Sequence, residues 1–194
     1  MSSLPITRDE ALKLIQEYNK DKSDLNHYLE SEAIMGDLAR KLDEDVDYWK
    51  MLGLLHDVDW GITKNSQESH LSEMPGILQQ AGFDDEFIAT ILSHGYGYDI
   101  AGLLDRRRTR KIEHALACAE TLTGLIHAYA IVRQGQISGM KAKGLRKRFK
   151  DKAFAAKVNR DIIRECEKLG LALNEFFELA INAVAGIKED VGLK

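Results

Sequence analysis

With 194 residues, 44% of them hydrophobic, the chain has enough apolar surface for one sizeable core, so a single domain over residues 1–194 is expected. Few aromatics, Pro only at positions 5 and 75, and abundant Ala, Leu, Glu and Lys favour helix over strand, which makes the fold class all-α. The net charge of −4 conceals halves near −12 (residues 1–100) and +8 (residues 101–194); with no aromatics interleaved among the basic residues, halves that neutralise each other are the better reading, and a nucleic-acid partner is not expected.

The N-terminal MSSLPITRDE lacks a basic stretch followed by an apolar one, and the longest apolar run, around GLIHAYAIV, is too short to span a bilayer. Neither secretion nor membrane insertion is expected, and the widely separated Cys118 and Cys166 suit a reducing cytoplasm. Thr7 and Glu10 have capping-box spacing and open a first helix over 8–20. A second follows Asp24 and runs to about Leu42, with His27, Ser31, Ile34 and Leu38 on one stripe.

Asp45 or Glu44 opens a third helix carrying Trp49, Leu52, Leu55 and His56, and Gly61 closes that region. A fourth starts near His70 to Ser72, because Pro75 is tolerated only in a first turn, and stops at Gly82. Asp84 caps a fifth over 85–94, which ends at HGYGYD; YDIAGLLDRRRTR then reads as a loop. The longest helix runs from about Thr109 to Arg133. After a polar break at RQGQISG come the basic KAKGLRKRFKDK, a helix from about Asn159 to Leu169 stopped by Gly170, and a last helix capped by Asn174. The basic run carries none of the sequence patterns of the common nucleic-acid-binding modules.

Four of the six histidines, His27, His56, His70 and His94, fall at helix ends or on inward stripes, and the apolar run MLGLLHD delivers His56 and Asp57 together to the end of the third helix. Glu120 lies midway along the longest helix on a face with Leu116 and Thr123, where a bare carboxylate is costly unless a cation meets it. Singly, each histidine reads as a core residue bonded to a carbonyl. Together they suit a metal ion, which takes neutral imidazoles and ionised carboxylates as ligands; at a fraying helix end, the two oxygens of Asp57 can bridge a pair of ions.

The ordered set of His27, the His56-Asp57 doublet and a carboxylate far downstream on a long helix resembles the HD-domain superfamily of metal-dependent phosphohydrolases. His70 and His94, between doublet and carboxylate, are similar to the subset with a two-metal site. ESHLSEMPGILQQAG, ILSHGY, EHALACAETLTGLI and KRFKDKAFAAKVNRDIIRECEKLGL extend the resemblance, to a small group of stand-alone HD proteins, over nearly the whole chain. It implies a helical bundle of the HD type, with a metal-site core over about 20–133 and C-terminal helices over 138–194 packed on it.

It also implies that His27, His56, Asp57 and the downstream carboxylate hold one ion and that His70 and His94 hold a second, bridged by Asp57. Where the family has Asp, this chain has Glu120. Where HD enzymes often have a phosphate-contacting Lys shortly after the doublet, HDVDWG has Asp59, which enters beside Asp57 as a catalytic candidate, to orient a water or to cap the turn. Arg106, Arg107, Arg108 and Arg110, between ligand-bearing helices, are candidates to fork onto phosphate oxygens. The expected cofactor is one or two divalent ions, Fe, Mn, Zn or Ni rather than Mg alone. The expected function is hydrolysis of a phosphoester of a small molecule, a nucleotide being one candidate, with a regulatory module that retains metal without turnover as the alternative.

Overall fold

The computed structural model describes residues 4–194, and every regular element among them is helical. Helix α1 (Arg8–Tyr18) opens with the expected capping box: Glu10 N–H meets the Thr7 hydroxyl, and the Glu10 carboxylate accepts from Thr7 N–H at 2.8 Å. Helix α2 (Lys22–Leu42) begins ahead of the expected Asp24, because the cap is Asp21, whose carboxylate accepts from Ser23 N–H at 2.9 Å. Asp24 instead accepts from Asn19 and Lys64.

Asp45 caps α3 (Val46–Leu55), whose last five residues, Met51 to Leu55, are all buried. This helix lies so close to α2 that a Cβ on Gly53 would stand 2.6 Å from the backbone oxygen of Ser31. Gly53 thereby sets the depth at which the α3 terminus, with His56 and Asp57 just beyond it, enters the molecule. Gly61 does not end the region as expected, for it lies within a short helix α4 (Trp60–Thr63). A further departure concerns α5 (Met74–Gln80): Pro75 is in its first turn, so His70 stands in the loop before the helix and does not open it. Asp84 caps α6 (Asp85–Leu92), and a 3-10 turn from Ser93 to Gly95 carries His94.

Helix α7 (Lys111–Val132), which contains the GLIHAYAIV run, is long and apolar enough to cross a bilayer by length and composition, as a buried core helix also is. Its Leu116, Leu122, Leu125 and Ile126 are fully buried inside the bundle, against α2 and the C-terminal segments. The basic α8 (Ala142–Lys150) and α10 (Leu173–Gly186) cover one side of this core. Between them α9 (Arg160–Ile163) is a single α turn that tightens into 3-10 geometry over Arg164–Leu169; the buried Ile163, Cys166 and Leu169 recur every three residues, the period of a 3-10 helix. Gly170, in the left-handed region at φ 81°, ends that stretch as expected. Ala172, not Asn174, occupies the cap of α10.

The close approach of α3 to α2 generates a test. Gly53→Ala drives a methyl group into α2 backbone that cannot rotate away, and should cost about 1–3 kcal/mol, a fall of roughly 2–12 °C in Tm. A Tm equal to that of the parent would show that the two helices separate without cost.

Candidate metal centre

Four segments converge on one point: His27 comes from α2, His56 and Asp57 from the turn after α3, His70 from the loop before α5, and His94 from the turn after α6. The Asp57 carboxylate is largely buried and faces two ways. Its Oδ2 lies 3.6 Å from His27 Nε2 and 3.5 Å from His56 Nε2, while Oδ1 lies 3.3 Å from His70 Nε2 and 3.2 Å from His94 Nε2. The turn that presents Asp57 is fixed from behind, because the Tyr28 hydroxyl donates to the Asp57 carbonyl at 3.0 Å and accepts from Asn19 at 2.8 Å.

The far side of each imidazole decides its tautomer. His56 Nδ1 donates to the Gly53 carbonyl at 2.8 Å, and His94 Nδ1 donates to the Ile91 carbonyl at 2.7 Å. The Thr123 hydroxyl gives its own proton to the Glu120 carbonyl, so at 2.7 Å from His27 Nδ1 it must accept. In their neutral form all three rings therefore turn an unprotonated Nε2 inward.

Two of these lone pairs, on His27 and His56, face each other at 2.9 Å, where no hydrogen bond can form between them. Asp57 Oδ1 and His94 Nε2 are buried and have no hydrogen-bond partner, although they stand close together. Inward lone pairs and an unsatisfied carboxylate oxygen repel one another unless a cation is shared among them. The donor atoms therefore fit metal: His27, His56 and Asp57 form one group that could hold an ion, and Asp57, His70 and His94 form a second.

Charge follows the same pattern. Burial pushes His56 down to about 3. Burial also opposes protonation of His70, but Asp57 beside Nε2 and Asp59 beyond Nδ1 hold it up at about 10. For Asp57 burial works against ionisation, yet His56 and His70 keep it well below the usual carboxylate range.

Asp59 does not line the cavity that Asp57, His70 and His94 line. It is fully buried, its Oδ2 accepts from the N–H groups of Glu73 and Met74 at 3.2 Å each, and its Oδ1 is 3.5 Å from His70 Nδ1. It caps the start of α5 and backs His70, as a carboxylate behind a ligating histidine does. Glu120 lines the same cavity but belongs to neither close group; Thr121 donates to its Oε1, and burial raises its pKa.

The arginines proposed from sequence for phosphate do not line this cavity. Arg108 forks onto Glu165 at 2.7 and 2.6 Å and donates to the carbonyls of Ser93 and Tyr96, which steadies the turn carrying His94. Arg110 binds Glu86, Thr90 and Glu113, and Arg107 bonds carbonyls of its own loop; Arg106 is exposed and, like the others, does not line the cavity. On the same α7 line as Glu120, Glu113 bonds Arg110 and His127 bonds Glu30 at 2.9 Å.

The cavity has a volume of about 700 Å³, and its wall includes Trp60, Tyr98, Lys157 and Asn159, none of which was singled out as a site residue from the sequence. No metal-ligand spacing marks them; Lys157 lies beyond the basic KAKGLRKRFKDK run, and only the fold carries it to the α7 side of the site. The HD-domain family model matches residues 24–130, which hold all the residues of the two close groups. No curated protein and no solved structure matches the chain.

The state of His70 makes cation uptake proton-linked. A pKa raised to about 10 means that at neutral pH His70 carries a proton that a metal ion must displace. Manganese affinity should therefore fall as pH falls from 10 towards 7, by up to about tenfold per unit for one proton, and loading at pH 7.5 should release close to one proton. Calorimetry in buffers of differing ionisation enthalpy reads that release. Loading with no proton released would contradict the charge state assigned to His70.

Proposed function

Because the chain belongs to the HD-domain family, we propose that it is a metal-dependent phosphohydrolase acting on a phosphoester of a small molecule. The observation that carries this reading is the Asp57 carboxylate, with each oxygen turned to its own pair of imidazole nitrogens. In it His27, His56 and Asp57 hold one divalent ion, and Asp57, His70 and His94 hold the other. The mixed nitrogen and oxygen donors suit Fe, Mn, Zn or Ni better than Mg alone.

Such ions, when bound, supply an acidified water and neutralise the charge that builds on a transferring phosphoryl group. The chain's own residues do the rest. The carbonyls of Gly53 and Ile91 and the Thr123 hydroxyl hold three rings in the tautomer that leaves Nε2 free, and Asp59 backs the fourth. Glu120, on the α7 wall with its pKa raised by burial, exchanges a proton with the bound molecule at its carboxylate.

A cavity of about 700 Å³ suits a small molecule. Trp60 and Tyr98 in its wall offer aromatic faces, which is the support for a nucleotide as substrate. Two buried thiols without a disulfide fit a reducing cytoplasm as the working compartment.

The test is metal content together with turnover over a panel of phosphomonoesters that includes nucleotides. The parent, reconstituted with manganese or iron, should hold at least one ion per chain and hydrolyse a member of the panel. Asp57→Ala should lose metal and at least about 100-fold in activity, the upper range for residues that merely support ligands; metal content equal to the parent's would remove the proposed ligand set. Glu120→Gln should keep its metal and lose turnover. If that variant loses the ion instead, Glu120 is a ligand and not a proton carrier.

A further inference from the structure

We infer that Lys157 receives the phosphate group of the substrate, in a pocket that offers a place for one such group. This rests on the metal-dependent hydrolysis proposed above and names the residue that meets the anion from the protein side. Apart from the histidines, the charged residues lining the cavity are Asp57, Glu68, Asp99, Glu120 and Lys157. Four are carboxylates. An anion entering beside Asp57 therefore finds one ammonium on the wall, while Glu68 and Asp99 disfavour a second anionic group.

Lys157 is available for that contact. It is exposed, and among the described residues no carboxylate lies within ion-pairing distance of it. Its position is also built. The loop between α8 and α9 is wound around the guanidinium of Arg160, which donates to the carbonyls of Asp151, Phe154, Ala155 and Val158. Ala155 accepts a left-handed backbone at φ 45° within that winding.

On the other side of Lys157, Asn159 caps α9 through its Oδ1 and donates from Nδ2 to the Tyr98 hydroxyl at 3.3 Å. That bond ties the loop to the segment following His94. Val158 packs against α7, where a Cβ on Gly124 would meet it at 3.2 Å. A flexible ammonium is thus mounted on a fastened loop at the edge of the cavity that His27, Asp57, His70 and His94 line.

The experiment is calorimetric titration of inorganic phosphate into the full chain loaded with manganese, with manganese content measured on the same samples. Lys157→Gln should bind phosphate about tenfold more weakly or worse, the loss of one charge-assisted hydrogen bond, at unchanged manganese content and unchanged Tm. Lys157→Arg should return the affinity to within a few-fold of the parent. Parental phosphate affinity in Lys157→Gln would overturn the inference and leave the hydrolase reading standing, as would a parent that holds manganese but binds no phosphate. A variant that loses manganese together with phosphate would show a structural residue and overturn it as well. A parent that takes up no manganese would overturn both.

Discussion

The structure turns on a repulsion. Three imidazoles are locked by their outer nitrogens so that each aims a lone pair inward, and they meet a carboxylate, Asp57, that is largely buried with them. While both rings are neutral, His27 Nε2 and His56 Nε2 face each other at 2.9 Å with no proton between them. The fourth imidazole, His70, shows how the site behaves as protein alone: between Asp57 and Asp59 it takes up a proton itself and becomes the local cation. A divalent ion does the same work with more charge and satisfies the remaining donors as well.

Much of the scaffold holds that arrangement. Gly53 lets α3 sink onto α2, which buries His56 and brings it to His27. Tyr28, braced by Asn19, fixes the turn at Asp57. Asp59 serves twice, ending the loop that carries His70 by capping α5 and standing behind the ring. Arg108, anchored on Glu165 beyond α7, grips the turn that carries His94. Two of these supports lie outside residues 24–130: Asn19 before it and Glu165 after it.

The helical class and the main ligand candidates were legible in the sequence because they rest on local rules. Capping residues such as Thr7, Asp45 and Asp84 bond groups two or three positions away, and the apolar run into His56 and Asp57 marks a buried helix end whatever it packs against. What the sequence hid depends on tertiary partners. The arginines of the RRRTR stretch look like an anion site until Glu165, 57 positions beyond Arg108, is placed beside it. Asp59 stayed open between orienting a water and capping the turn, because nothing local says that the amides of Glu73 and Met74 will turn towards it. Lys157 carries no local mark of function, for its meaning comes from the Arg160 winding and the Asn159–Tyr98 bond. Glu120 was read as a ligand of the first ion, and its separation from the two close groups is a matter of helix placement, to which periodicity is blind.

The most direct test of the metal centre is anomalous diffraction at the manganese edge from crystals of the full chain grown with manganese. The account predicts at least one strong peak beside Asp57, between a carboxylate oxygen and the imidazole pair that faces it, and at full loading a second peak at the other oxygen. Density free of any anomalous peak among His27, His56, Asp57, His70 and His94 would contradict it.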